Sequence, residues 1–152
     1  MTTAAHPQAV ILAAGSGKRF LRSGGTGYKQ LTPYKGEPVV ARLVRQVEES
    51  GLFGGTVVVL GADPDCRSAV QAALAGFDVT YAINSDAGQD KNLLSFRAGT
   101  LGIDGPILLI EADCVVSPED LAGMVAAVRP GEIRWSAIGD VADFSYGGLV
   151  ET

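Results

Sequence analysis

The stretch Ala9-Val10-Ile11-Leu12-Ala13-Ala14-Gly15-Ser16-Gly17-Lys18-Arg19-Phe20 constrains the fold of this chain more than any other. Its apolar start, Ala9 to Leu12, is long enough for a buried strand and too short for a helix. Small residues from Ala13 to Gly17 end that strand. The glycines let the main chain turn tightly and bring its N–H groups against a ligand. Successive N–H groups in such a turn form a concavity that suits anions. Lys18 and Arg19 follow at once, and a guanidinium there can hold two phosphate oxygens together. The stretch reads as a strand opening onto a triphosphate-binding loop, with Leu12, Ala13, Ala14, Gly15, Ser16 and Gly17 nearest the ligand. Gly15-Ser16-Gly17 alone is also ordinary loop sequence. It is not a Walker loop, because the Gly-Lys-Ser/Thr ending is missing, and not a dinucleotide fingerprint, because Phe20 replaces the third glycine.

The rest of the chain alternates. Strand patterns at Val10–Leu12, Thr56–Leu60, Val79–Ile83, Pro106–Ile110 and Ile133–Ile138 are interleaved with helical patterns. The helices are expected over Pro38–Ser50, Pro64–Ala75 and Lys91–Leu101, and from Pro118 to about Val128. Pro38 stands at the first turn of one helix and Gly51 stops it, while Asp63 and Ser117 are N-cap residues of two others. Residues 15–35 read as loop, and Gly24-Gly25-Thr26-Gly27 as a flexible stretch able to close over a ligand. Such alternation implies an α/β fold in three layers, a mostly parallel sheet with helices on both faces, in one domain over residues 1–152. Ligands of such sheets bind beyond the carboxyl ends of the strands. Three polar segments lie there: Ala13–Arg19, Asn84–Lys91 and Glu111–Cys114.

A net charge of −5 argues against a nucleic-acid partner, since backbone binding needs a basic face. The cations are uneven, however: Lys18, Arg19, Arg22, Lys29 and Lys35 fall in a stretch without any acid. A cationic patch on an acidic protein suits a small polyphosphate, and its plainer alternative is a solvated basic loop. There is no apolar run long enough to span a membrane and no signal-peptide pattern. The two cysteines, Cys66 and Cys114, have no metal-ligand neighbours at short spacing and read as reduced thiols of a cytoplasmic protein. His6 sits in a polar terminus read as disordered, and Trp135, Phe144 and Tyr146 read as packing residues.

Glu111-Ala112-Asp113 follows an apolar strand. Residues at i and i+2 of an extended segment point to one side, and two carboxylates leaving a buried strand need a cation or donors to meet them. Mg²⁺ held by a carboxylate and by substrate phosphates meets that need. The alternative is that Asp113 caps the following helix, a place Ser117 already fills. Lys29 reaches phosphate as a point charge or stays a surface lysine. Asn84-Ser85-Asp86-Ala87-Gly88 reads as a plain turn, or as a ligand-facing loop before a helix N-terminus.

Taken in order, Ala13-Ala14-Gly15-Ser16-Gly17-Lys18-Arg19-Phe20, Lys29-Gln30-Leu31 and Gly36-Glu37-Pro38-Val39-Val40 resemble the N-terminal signature of the nucleotidyltransferases. These enzymes join a nucleoside triphosphate to a phosphorylated acceptor and release pyrophosphate. The Lys-Gln-Leu version, with Lys91-Asn92-Leu93-Leu94-Ser95-Phe96 further on, looks closest to small cytidylyltransferases of the phosphocholine and methylerythritol-phosphate types. The resemblance covers roughly residues 8–117. It implies a Rossmann-like nucleotidyltransferase fold with Asp113 as the aspartate holding Mg²⁺ on the nucleotide, while Glu111 has no such clear counterpart. It places Lys29 on the reacting phosphate and Arg19 over the β- and γ-phosphates. Asn84, the Gly88 backbone and the Ser95 hydroxyl would then read the base.

The implied reaction is attack by an anionic acceptor oxygen on the α-phosphorus, which needs no general base. Members of that family usually run longer than this chain, and their later half supplies acceptor contacts. Asp140 and Asp143 are the downstream acids that remain, and Gly147-Gly148-Leu149 could open such a segment. The chain is then a compact member, a truncated one, or one completed by a partner subunit or a second copy. Two further readings stand beside transfer: a nucleotide-binding module without activity, and a structural or regulatory subunit. A molybdopterin-type guanylyl- or cytidylyltransferase is the near rival among enzymes, although that type usually shows Gly-Gly and Arg-Met where this chain has Ala13-Ala14 and Arg19-Phe20.

Overall fold

The computed structural model of the chain describes residues 6–86, 92–127, 129 and 131–133. Strand β1 (Gln8–Ala13) is the centre of the molecule, and Ala9, Val10 and Ile11 have no solvent exposure. It pairs in parallel with β4 (Gly55–Leu60) on one side and β6 (Ile107–Glu111) on the other. β5 (Thr80–Ile83) adds to β4, so the sheet order is β5-β4-β1-β6. Leu12 lies between Val59 and Glu111 in register, so the glycine-rich loop after β1 and the acidic segment after β6 leave the sheet at one rim.

Alternation of side chains along β1 divides the core. Ala9, Ile11 and Ala13, with Val58, Leu60 and Ile110, pack with Val40, Leu43, Val44 and Val47 of α2 (Val39–Ser50). Val70 of α3 (Pro64–Ala73) and Leu121 of α5 (Pro118–Ala126) complete that layer. Val10, Leu12 and Val59 point the other way, toward Ala98 of α4 (Asn92–Thr100). The protein is thus the three-layer parallel α/β architecture read from its alternation. Gly99 sets the spacing of α4: a Cβ there would lie 2.5 Å from Val59 Cγ2 and 2.7 Å from Val10 Cγ1. Each fully buried Leu, Ile or Val contributes about 1.5–3 kcal/mol. Exposed ion pairs contribute about 0–1 kcal/mol, so the core decides the fold.

The helix ends follow local chemistry. Asp63 Oδ1 accepts from the N–H groups of Asp65 (3.0 Å) and Cys66 (3.3 Å) and caps α3. Ser117 and Asp120 form a reciprocal capping box at the start of α5. Pro38 precedes α2 as its N-cap instead of occupying its first turn, and α3 stops at Ala73, two residues short of the expected end.

Residues 15–35 are not simply loop. They hold the short helix α1 (Lys18–Arg22) and a 3₁₀ turn at Lys29–Leu31. Strand β2 (Pro33–Tyr34) follows and returns through Lys35-Gly36 to β3 (Glu37–Pro38). None of these is long enough to show a hydrophobic period, and α1 buries no residue, so the pattern that reveals longer elements is absent. His6 also belongs to the ordered structure, where its Nδ1 donates to the Leu52 carbonyl at 3.2 Å. The strand expected at Ile133–Ile138 lies, after Ile133, outside the described residues. So do Trp135, Asp140, Asp143, Phe144, Tyr146 and the Gly147–Leu149 segment.

Candidate active site

Lys29 opens the 3₁₀ turn and sends its side chain back across the loop that follows β1. A Cβ on residue 15 would lie 3.2 Å from Lys29 Cε and 3.5 Å from its Nζ, so the glycine gives the lysine room to lie against the main chain. The ammonium then donates to Asp113 Oδ2 at 3.1 Å. Three segments far apart in sequence therefore meet at the carboxyl rim of the sheet. The pair is partly exposed and sits in the wall of an open cleft of about 270 Å³ that also takes in Phe20 and Tyr34.

The acidic segment differs from its sequence reading in one respect. β6 ends at Glu111, and Asp113 lies in a turn closed by the Cys114 N–H donating to the Glu111 carbonyl at 3.1 Å. Strand alternation therefore does not align the two carboxylates. Asp113 turns away to meet Lys29, while Glu111 Oε1 accepts from Asn92 Nδ2 of α4 at 2.7 Å. On the β5 side, Asn84 Nδ2 donates to the buried Ser95 Oγ at 3.1 Å, and Asn84 Oδ1 accepts from the Asp86 N–H at 3.2 Å.

Lys29, Gly15 and Asp113 are thus brought together, and Asn84 and Ser95 form a second pair at the other side of the rim. Leu12 and Ala13 are buried at the end of β1, with Ala14, Gly15, Ser16 and Gly17 following. Arg19 sits exposed on α1, with no hydrogen bond or ion pair to Lys29 or Asp113. Gly88 lies outside the described residues. Sequence reasoning missed two polar residues. Asn92 was read only as part of a helix opening, yet it holds Glu111. Gln30 was read only as part of a motif, yet it is 1% exposed and ties the Lys29 turn to the end of β1. Its neighbours, Tyr28 to Thr32, carry no apolar pattern that signals its burial. Cys66 and Cys114 are both free, and burial pushes both thiols up.

Burial also pushes the Glu111 carboxyl above its usual range; the Lys29 ammonium opposes that rise and the Asp113 charge adds to it. A carboxyl with a raised folded-state pKa binds its proton more tightly folded than unfolded. Its contribution to stability is whole below the unfolded pKa and is lost as pH rises through the folded one. Glu111→Gln is therefore expected to melt above the wild type at about pH 8 and to lose that advantage below about pH 4. Thermal melts at the two pH values check this, and equal melting temperatures at the higher pH would contradict it.

Comparison with known proteins shows what the chain as a whole is similar to. The model of the MobA-like NTP transferase domain matches residues 9–141. CMP-5'-(3-aminopropyl)phosphonate synthase of Streptomyces rubellomurinus is 31% identical over 129 residues, which is 85% of this chain and 20% of that protein. The bifunctional enzyme IspD/IspF of Rhodopseudomonas palustris is 30% identical over 130 residues, covering 84% of this chain and 31% of its own length. This chain therefore spans between a fifth and a third of those relatives. Among solved structures, a nucleotidyl transferase from Methanothermobacter thermautotroptrophicus superposes with a TM-score of 0.68 at 28% identity, over 80% of this chain and 57% of that one. No helix among the described residues is long and apolar enough to cross a membrane.

Proposed function

We propose that this chain, which belongs to the MobA-like NTP transferase domain family, transfers a nucleotidyl group from a nucleoside triphosphate to a small acceptor and releases pyrophosphate. The triphosphate is CTP and the acceptor is a phosphonate or a phosphorylated small molecule. The observation that carries the reading is Lys29, laid across Gly15 and touching Asp113 at 3.1 Å. The choice of CTP rests on the Lys29-Gln30-Leu31 motif and on the relative named for a CMP-phosphonate product.

An oxygen of the acceptor anion attacks the α-phosphorus, forming one P–O bond. The bond from the α-phosphorus to the bridging oxygen breaks, and its electron pair leaves with pyrophosphate. The acceptor is already ionised, so no proton has to be removed. What the protein contributes is alignment and charge neutralisation. The loop from Ala13 to Gly17 holds the phosphates, and Lys29 lies where charge builds at the α-phosphoryl group. Arg19, on the helix that continues the loop, covers the leaving phosphates. Asn84 and Ser95 stand on the side where the base is read.

A divalent cation fits the acidic segment. Asp113 is a partly exposed carboxylate bonded, among the described residues, through Oδ2, and Mg²⁺ typically takes one or two carboxylates with the remaining positions filled by phosphates and water. Asp113 would hold it, with Glu111 behind, and when bound it supplies Lewis-acid stabilisation of phosphate charge.

The test is pyrophosphate release from a panel of nucleoside triphosphates with phosphocholine, sugar phosphates and an aminoalkylphosphonate. Release with CTP and one such acceptor is the expected result. Nucleotide binding without release under every pairing would instead make this a binding module.

A further inference from the structure

We infer that Gln30 is the positioning residue of this site: its buried amide fixes the turn that aims Lys29, an inference that rests on the transferase reading above. Gln30 Nε2 donates to the Ala13 carbonyl at 3.1 Å and to Cys66 Sγ at 3.0 Å. One amide thus joins the Lys29–Leu31 turn, the last residue of β1 and the first turn of α3. Both of its N–H groups are used. Its Oε1, by contrast, is buried without a partner among the described residues. That asymmetry separates positioning from packing. An apolar side chain of the same length would fill the space without the orphaned Oε1 but would leave the buried Ala13 carbonyl without this donor, so burial alone does not explain a glutamine here. What an apolar residue cannot supply is the pair of donors that locks the turn against Ala13, one residue before the loop across which Lys29 lies.

The lock acts on chemistry through Lys29. The peptide after Lys29 is held by a fully buried strut, whereas the lysine side chain itself, among the described residues, is held by a partly exposed pair with Asp113. Loosening the strut lets the turn rotate and takes the ammonium off the line to the α-phosphoryl group. Most of the binding would persist, since the base side of the rim, at Asn84 and Ser95, does not touch that amide.

Two variants test this. Gln30→Met keeps the length and removes both donors, and Gln30→Glu keeps the shape while placing an acceptor against the Ala13 carbonyl. For folded samples of each, the expected result is a kcat lowered about tenfold to a hundredfold, the scale of a small misplacement of a reacting group, with the KM for nucleotide nearly unchanged. Q30M exchanges the orphaned Oε1 for an unpartnered Ala13 carbonyl, so its melting temperature is expected to fall by no more than about 2–8 °C while the activity loss is far larger. A crystal structure of Q30M should show the Lys29–Asp113 contact broken. If the wild type proves to release no pyrophosphate, the transferase reading fails, while that crystal structure still decides the role of Gln30. An intact contact with unchanged kcat in both variants overturns the inference. So does failure of both to fold, which would make Gln30 a residue of the fold alone.

Discussion

Alanine at position 29 is expected to lower kcat by about 10²- to 10³-fold, the cost of removing one preorganised charge from a transition state. The same substitution should barely touch stability. The Lys29–Asp113 pair is partly exposed, with side-chain exposures of 27% and 38%. Pairs of that kind contribute about 0–1 kcal/mol. That corresponds to a shift of at most about 2–4 °C in a chain of this size. Activity and melting temperature should therefore separate cleanly, which is the signature of a side chain held for chemistry. Gly15 strengthens the expectation, because the lysine lies at near-contact with a backbone that any side chain would crowd. Steady-state pyrophosphate release on the purified variant, beside its melting curve, is the measurement. A rate within a few-fold of the wild type would remove Lys29 from the reaction.

The layers of the fold were legible because they rest on long signals. Val39, Val40, Leu43, Val44 and Val47 repeat at helical spacing, and the continuous apolar strands announce burial on two faces. The caps were legible for a different reason: Asp63 and Ser117 act within three residues of themselves. What escaped was short or distant. α1, the 3₁₀ turn and the β2–β3 hairpin are too brief to show a period. The expectation for Glu111 and Asp113 failed on a boundary. Alternation predicts one shared side only while the strand continues, and β6 stops at Glu111. The bond from Gln30 to Cys66 crosses 36 positions, and that from Lys29 to Asp113 crosses 84. Nothing local in the chain encodes either. The resemblance to a family singles out Lys29 and Asp113 as site residues, for a phosphate and for a metal, but the bond between them appears only in the fold.

Asp113→Ala gives the other large effect, and its sign depends on the metal. With Mg²⁺ present, losing the carboxylate should cost turnover about 10³-fold, since several kcal/mol of charge stabilisation go with the ion. Without Mg²⁺ the same change removes a negative charge beside the phosphates and frees the Lys29 ammonium from its 3.1 Å contact. Metal-free nucleotide should then bind the variant as tightly as the wild type or more tightly, through unopposed attraction to Lys29. The two titrations are therefore expected to cross: the wild type gains affinity on adding Mg²⁺ and the variant does not. A carboxylate that served only to orient Lys29 would behave differently. Its loss would weaken binding equally with and without the ion, because the lysine would be misplaced in both. Calorimetric titrations of both proteins, each in Mg²⁺ and in chelator, separate the two cases. Parallel losses would assign Asp113 to holding the lysine and leave any metal to other ligands.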